Sequence, residues 1–130
     1  MILGFTGTQD GMTQKQKEEF VALLSKYSVD EFHHGDCVGS DFEAACFVRK
    51  NEKVIIYSHP PINEYKRAFF KSDIILPKKD FLVRNKDIVN ACDILIATPK
   101  EMEEVLRSGT WSTIRYAKKL EKEFIVLFPK

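Results

Sequence analysis

Mainly apolar segments alternate with amphipathic segments along the chain of 130 residues. The predicted strands lie at 1–5, 29–34, 53–57, 93–97 and 124–128, of which only 29–34 carries several polar residues, and residues 73–76 can add a further short extended piece. Strands that are apolar on both faces are typical of a parallel sheet covered by helices on both sides. The chain therefore predicts a three-layer α/β/α domain with a mainly parallel five-stranded sheet in the order 3-2-1-4-5.

Helical spacing fills the segments between the predicted strands. In residues 13–27 several apolar side chains share one helical face, and Thr13 and Gln16 have the spacing of a capping box. Further helices are expected at residues 40–51, from Asp80 onward and at 110–121. The chain has no internal repeat and a length typical of one domain, so residues 1–130 are predicted to form a single domain.

Composition disfavours several classes of protein. The net charge is +1 and the lysines are spread along the chain, so a nucleic-acid partner held by bulk electrostatics is not expected. No apolar run is long enough to cross a bilayer and no signal-peptide pattern opens the sequence, so we expect a cytoplasmic protein with no membrane partner. Three widely spaced cysteines fit neither a disulfide framework nor a metal site.

Glycines and hydroxyl side chains follow three of the predicted strands, in residues 6–11, 35–41 and 98–110. In the predicted strand order these loops converge where the order reverses, which is where open α/β sheets bind their ligands. Ser108, Gly109 and Thr110 open the last helix, and the free N–H groups of a helix start favour an anion such as phosphate. An ordinary helix cap by Ser108 or Thr110 is the alternative interpretation.

Four motifs carry a resemblance to a known superfamily: Gly7-Thr8-Gln9, the 35–41 turn, Arg84-Asn85 and Ser108-Gly109-Thr110. Over nearly the whole chain the sequence resembles the SLOG superfamily of Rossmann-like nucleotide-binding domains, especially its small stand-alone members from bacteria and phages. That superfamily includes the DNA-processing protein DprA, the LOG phosphoribohydrolases and nucleotide-sensing domains of bacterial immune systems. The resemblance implies a Rossmann-like fold, a nucleotide-type ligand and assembly into a homodimer or higher homo-oligomer.

The sequence departs from the pattern of that superfamily at two positions. LOG-type enzymes place a catalytic glutamate three residues after a glycine-threonine pair, where this chain has Thr113. Relatives often carry arginine where this chain has Gln9, so a charge-assisted contact with phosphate would become a neutral hydrogen bond. The resemblance therefore implies ligand binding without LOG-type cleavage of a glycosidic bond.

The loops and the resemblance together give one set of candidate ligand-binding residues. They are Thr6, Gly7, Thr8, Gln9, Gly35, Asp36, Gly39, Asp41, His59, Arg84, Asn85, Arg107, Ser108, Gly109, Thr110 and Trp111. Asp36 is the candidate catalytic base if the protein is an enzyme, and it is also the candidate for holding Mg²⁺ or a ribose hydroxyl. Arg107 is preferred to Arg115 beside the phosphate site, and Trp111 is either a packing residue or a platform for a base. No metal site is predicted, because the histidines and cysteines lack the spacing of metal ligands.

The sequence is compatible with three functions. The first is a sensor or sequestering module that binds a nucleotide or nucleotide-derived ligand, with residues 59–71 closing over the base. The second is a hydrolase of a glycosidic or phosphate bond in a nucleotide or nucleoside, which uses Asp36 or Asp41 with a bound water. The third is a DprA-like module that binds DNA or another protein, which the near-neutral charge disfavours.

Overall fold

The computed structural model describes all residues from 1 to 130 and contains a six-stranded sheet in which all neighbouring strands are parallel. The strands are β1 (Ile2–Gly7), β2 (Glu31–His34), β3 (Ile55–Ser58), β4 (Ile74–Ile75), β5 (Ile94–Thr98) and β6 (Glu123–Val126). The helices are α1 (Gln14–Lys26), α2 (Ser40–Arg49), α3 (Phe81–Ala91) and α4 (Gly109–Lys119), with a short 3₁₀ turn at Glu64–Lys66. The sheet order is β4-β3-β2-β1-β5-β6, which confirms the predicted parallel α/β architecture.

The sheet has one strand more than the five that were predicted. The additional strand β4 pairs with β3 through Tyr57 with Ile74 and Ser58 with Ile75. Both residues of β4 are exposed, and no α-helix lies between β3 and β4 in the chain. The extended piece expected at residues 73–76 contains this strand, but its exposure gave no reason to place it in the sheet. The order of the other five strands is the predicted one.

Helix α1 begins with the capping box that its sequence predicts. The Thr13 hydroxyl accepts from the backbone N–H of Gln16 at 3.2 Å, and the Gln16 side chain accepts from the Thr13 N–H at 2.9 Å. Gln16 is completely buried, and its amide nitrogen also donates to the carbonyls of Pro99 and Leu127, each at 2.8 Å. This one side chain therefore fixes the start of α1 to the ends of β5 and β6.

Apolar side chains fill the space on both faces of the sheet. On one face Phe5, Phe20 and Phe32 pack with ring centroids 5.3–6.1 Å apart, in the same cluster as the buried alanines of α2. On the other face Leu95 packs against buried residues of α3 and α4, among them Ile88. The helices thus form two layers around a central sheet, which is the Rossmann-like three-layer arrangement.

The loops after β1, β2 and β5 are joined to one another at the carboxyl edge of the sheet. The N–H of Thr8 donates to the carbonyl of Thr98 at 3.1 Å, and the N–H of Ser40 donates to the carbonyl of Thr8 at 3.1 Å. β1 lies between β2 and β5, so these loops meet where the strand order reverses. None of the four helices is long and apolar enough to cross a membrane.

Candidate functional site

A cavity of about 430 Å³ opens at the carboxyl edge of the sheet, between the loops that follow β1, β2 and β5. It brings together most of the candidate residues, namely Thr6, Gly7, Thr8, Gln9, Gly35, Asp41, Arg84, Asn85, Ser108, Gly109 and Thr110. Its volume lies in the range of cavities that hold small ligands. The remaining candidates Asp36, Gly39, His59, Arg107 and Trp111 do not line it.

The start of α4 combines a helix cap with unpaired backbone donors. The Ser108 hydroxyl accepts from the N–H of Trp111 at 3.2 Å, so Ser108 is the N-cap of the helix. The N–H groups of Gly109 and Thr110 have no hydrogen-bond partner in the protein, as the geometry of a helix start requires. A β-carbon at Gly109 would meet no atom within 4 Å, so the space beside this backbone is open. The open backbone and the two free donors form a cradle for an anion.

The loop after β1 is held close to β5 and α2 because residue 7 is a glycine. A β-carbon at Gly7 would lie 2.5 Å from Cβ of Ser40 and would also collide with the hydroxyl of Thr98. The carbonyl of Thr8 accepts from both the N–H and the hydroxyl of Ser40, the latter at 2.7 Å. Gln9 accepts from the Lys66 ammonium at 3.0 Å. The loop is therefore fixed in place on the wall of the cavity.

Arg84 reaches the cavity from the first turn of α3 and is buried. Its Nη1 donates to the carbonyls of Gly35 and of His59, the latter at 3.2 Å, and its Nη2 lies 3.6 Å from the Cys37 sulfur. Its Nε is buried and has no partner. No ion pair of the protein involves Arg84. The guanidinium is thus anchored on carbonyl oxygens and keeps its positive charge uncompensated by a direct carboxylate contact.

Asp41 is a buried carboxylate in the first turn of α2. Its Oδ2 accepts from the N–H of Cys37 at 3.4 Å, whereas its Oδ1 has no partner. Burial raises the pKa of Asp41 to about 6, although the nearby Arg84 charge acts in the opposite direction. A side chain at position 35 would collide with Nη1 of Arg84 and would lie 2.7 Å from Oδ2 of Asp41, so glycine is required there.

Two charged residues at the rim of the cavity were not among the ligand-binding residues predicted from the sequence. Lys100 and Asp10 line the cavity and form an ion pair of 3.0 Å between exposed side chains. Lys100 comes directly after β5 in a loop already expected to face the ligand, so its position in the sequence was a usable signal. Exposed pairs of this kind contribute little stability, which leaves the Lys100 ammonium free to contact a ligand.

Asp36 was predicted to face the ligand, and the structure places it elsewhere. Its side chain is completely buried, its Oδ2 accepts from Nε of Arg67 at 2.9 Å, and its Oδ1 accepts from the N–H of Phe70 at 2.9 Å. Its backbone has a φ of 51°, which turns the chain after β2. Both carboxylate oxygens are therefore used to attach residues 67–70 to the end of β2, and Asp36 does not line the cavity.

The other candidates outside the cavity have structural partners or face solvent. Trp111 packs with Ala97 and Ile114 and donates its ring N–H to Glu101 at 3.1 Å. Arg107 is exposed and belongs to no hydrogen bond or ion pair, whereas Arg115, the alternative to it, pairs with Glu104. Of the two interpretations of Trp111, the structure therefore supports packing.

His59 and Gly39 lie close to the cavity without lining it. Nε2 of His59 is 2.8 Å from Nδ1 of His33, and His59 borders a separate cavity of about 200 Å³ that Arg84 also lines. Gly39 has a φ of 89°, and a β-carbon there would lie 2.5 Å from the carbonyl carbon of Gln9. Gly39 therefore permits the close contact between the loops after β1 and β2.

The protein is a Rossmann-like α/β domain with a polar cavity at the carboxyl edge of its sheet. No protein-family model matches the sequence, and no curated protein matches it by sequence. The structure is similar to that of the molybdenum cofactor binding protein from the phototrophic bacterium Rippkaea orientalis. The two are 21% identical with a TM-score of 0.73, and the match covers 99% of this chain and 77% of the other.

Two further solved structures share the fold. The Moco carrier protein from Chlamydomonas reinhardtii is 16% identical with a TM-score of 0.67, and the match covers 97% of this chain and 75% of that protein. The structural-genomics target TM1055 is 16% identical with a TM-score of 0.65, and the match covers 95% of this chain and 71% of that one. At these identities the likeness establishes a Rossmann-like α/β fold for nearly the whole chain.

Proposed function

We propose that this protein binds a nucleotide or nucleotide-derived ligand as a sensor or sequestering module, with the phosphate end of the ligand at the start of α4. The observation that carries the proposal is that the unpaired N–H groups of Gly109 and Thr110 border an open cavity. Two parallel N–H donors and the positive end of a helix dipole favour a phosphate oxygen. The superfamily resemblance of the glycine-bearing loops supports the same ligand class.

The charges around the cavity support an anionic ligand of limited charge. Arg84 is buried without a carboxylate partner, and Lys100 stands at the rim in a solvent-exposed pair. Asp41 opposes an anion electrostatically, and burial already raises the pKa of its carboxyl to about 6. Because Asp41 and Asp10 offset part of the positive charge, the cavity is better suited to one or two phosphates than to a long polyphosphate or to DNA.

The molybdenum cofactor is the second candidate ligand. Two of the structures that share the fold are described as a molybdenum cofactor binding protein and a Moco carrier protein. The cofactor is a pterin that carries a phosphate group, so the same start of α4 would receive its phosphate. In this alternative the ring of the pterin would take the place of the nucleotide base in the cavity.

An enzymatic function is the weaker alternative. Asp36, the candidate catalytic base, has both oxygens engaged with Arg67 and Phe70. The hydroxyl of Thr113, at the position of the LOG-type glutamate, donates to the carbonyl of Gly109 at 2.8 Å. Of the two acids proposed for a hydrolase, Asp36 and Asp41, only Asp41 lines the cavity and has an oxygen without a partner, so it is the remaining candidate base. Binding without turnover, by a single domain that assembles into a homo-oligomer, remains our proposal.

The Gly109→Val variant tests the phosphate cradle. A β-carbon at Gly109 would meet no atom within 4 Å, so the fold should be retained with valine there. We expect AMP or GMP to bind the variant at least about tenfold more weakly, since hydrogen bonds to charged groups are worth about 1.5–3 kcal/mol. Isothermal titration calorimetry measures the affinity, and Lys119→Val, at the far end of the same helix, is the matched control. Equal affinities in Gly109→Val and Lys119→Val would refute the placement.

A further inference from the structure

Two residues that line the cavity each have a buried side-chain atom without a hydrogen-bond partner, and one of these atoms is an acceptor and the other a donor. They are Oδ1 of Asp41 and Nε of Arg84. The protein has one other buried side-chain atom of this kind, the hydroxyl of Thr98, which is packed against Gly7 and does not line the cavity. The two buried charged side chains that have an unpartnered atom therefore both line this cavity.

The protein fixes both side chains through their other atoms. Oδ2 of Asp41 accepts from the N–H of Cys37, and Nη1 of Arg84 donates to the carbonyls of Gly35 and His59. Asp41 and Arg84 do not form an ion pair with each other, although the positive charge of Arg84 acts on Asp41. Each side chain is thus held in position with one polar atom left over.

Leaving such atoms unpaired is costly, because a buried charged group loses its water without gaining a replacement. An ionised carboxylate can only accept a hydrogen bond, and a guanidinium N–H can only donate one. A single group that offers both a donor and an acceptor would satisfy the two atoms together. Rotation about χ2, a broad torsion in aspartate, would present Oδ1 to such a group and would lengthen only the 3.4 Å hydrogen bond from Cys37.

We propose that Asp41 and Arg84 bind a neighbouring donor and acceptor of the ligand, and that Asp41 is the residue that selects for the donor. Three parts of a nucleotide-type ligand have this chemistry: the N–H and C=O of a lactam ring, as in guanine, hypoxanthine or a pterin; the amino group and neighbouring ring nitrogen of adenine or cytosine; and the vicinal hydroxyls of ribose. The inference rests on the proposed function, because phosphate binding at Gly109 brings this part of the ligand into the cavity.

The Asp41→Asn variant separates this role from a purely electrostatic one. Removal of a negative charge from a site for anions would by itself strengthen the binding of every phosphate compound. In Asp41→Asn the amide oxygen would accept from the N–H of Cys37, and the NH2 group, a donor, would take the place of Oδ1. Binding of the preferred nucleotide should therefore weaken by about tenfold or more, the effect of one hydrogen bond to a charged group. Inorganic phosphate should bind Asp41→Asn as well as it binds the parent, or better.

Calorimetry with GMP, AMP, purine riboside 5′-monophosphate and 2′,3′-dideoxy-AMP, and NMR titration with inorganic phosphate, provide the measurements. A preference for GMP over AMP identifies the lactam, and a preference for AMP over its dideoxy analogue identifies the ribose. A preference for AMP over purine riboside monophosphate, whose base has no hydrogen-bond donor, identifies the amino group and ring nitrogen of the base. If the parent binds all four nucleotides equally, the inference is overturned even if Asp41→Asn fails to fold. Asp41→Asn binding every nucleotide as tightly as the parent overturns it too.

Inorganic phosphate distinguishes this failure from a failure of the proposed function. Phosphate binding that Gly109→Val abolishes, together with nucleotide binding that Asp41→Asn leaves intact, would retain the phosphate cradle and reject the role of Asp41. Absence of binding by phosphate and by all four nucleotides would reject both proposals.

Discussion

At the scale of single residues, the three histidines are buried close to the cavity and form hydrogen bonds with other polar side chains. Nδ1 of His33 lies 2.8 Å from Nε2 of His59, and Nε2 of His33 lies 3.1 Å from a carboxylate oxygen of Glu31. Burial lowers the pKa of His59 to about 4, and the charges of His33 and Arg84 act in the same direction. Burial also lowers the pKa of His34 to about 3. The folded protein therefore holds these rings neutral where an unfolded chain would protonate them.

The pH dependence of stability follows from these shifts. An unfolded chain protonates His59 near pH 6.5, whereas the folded protein resists until pH falls to about 4. More protons are bound by the unfolded state within this window, so stability decreases as pH falls through it. His59→Gln keeps a hydrogen-bonding group near the position of Nε2 and cannot titrate. We expect its loss of unfolding free energy between about pH 7 and about pH 4.5 to be smaller by roughly 1–3 kcal/mol.

Urea unfolding at a series of pH values measures this difference. Buffer effects are common to the parent and His59→Gln and cancel in the comparison. Parallel stability curves for the two proteins would mean that His59 is protonated equally in the folded and unfolded states, contrary to its burial.

At the scale of elements, two glycines with positive φ test how tightly the loops after β1 and β2 are joined. Gly11 and Gly39 have φ of 94° and 89°, so a side chain at either position is strained. A β-carbon at Gly11 would meet only the flexible carboxylate of Glu43, at 3.3 Å, whereas one at Gly39 would collide with the backbone of Gln9. The two positions thus share a positive φ and differ in the collision.

The Gly39→Ala and Gly11→Ala variants form a matched pair for this reason. We expect Gly11→Ala to cost about 1 kcal/mol of unfolding free energy, the usual cost of an alanine in a left-handed conformation. Gly39→Ala should cost about 2–4 kcal/mol, because the loop after β1 must also move away. Urea unfolding measures both values. An equal cost would show that the contact between Gly39 and Gln9 does not constrain the loops.

The sequence was informative about elements whose determinants are local. Mainly apolar segments marked the principal strands other than β2, which contains three polar residues, and the Thr13–Gln16 pair marked the start of α1. The strand β4 was not predicted as part of the sheet because its residues are exposed and its order depends on pairing with β3. The convergence of the loops after β1, β2 and β5 was predictable, because parallel strands end at a common edge.

The roles of several polar residues were beyond the reach of sequence. Asp36 follows a strand in a glycine-bearing turn as a ligand-binding residue would, yet its partners Arg67 and Phe70 lie more than thirty positions away, at separations of 31 and 34 residues. Trp111 begins a helix beside the cavity, but its ring turns toward Ala97 and Glu101. In both cases contacts between distant segments decide where the side chain points.

At the scale of the whole molecule, the two helical layers pack on one continuous sheet, which leads us to propose that residues 1–130 unfold as one domain. The single tryptophan, Trp111, is buried on the face covered by α4, and the largest apolar cluster lies on the opposite face. We expect tryptophan fluorescence and far-ultraviolet circular dichroism to give the same urea midpoint. Separate midpoints would show that the two layers unfold independently.

The start of α4 is where the account is most directly tested. Two-dimensional NMR of ¹⁵N-labelled protein titrated with GMP and AMP reports on each backbone N–H group. If phosphate binds as proposed, the resonances of Gly109 and Thr110 should shift downfield and saturate with the same affinity that calorimetry gives. Unchanged Gly109 and Thr110 resonances at saturating nucleotide would contradict the account, whatever other resonances move.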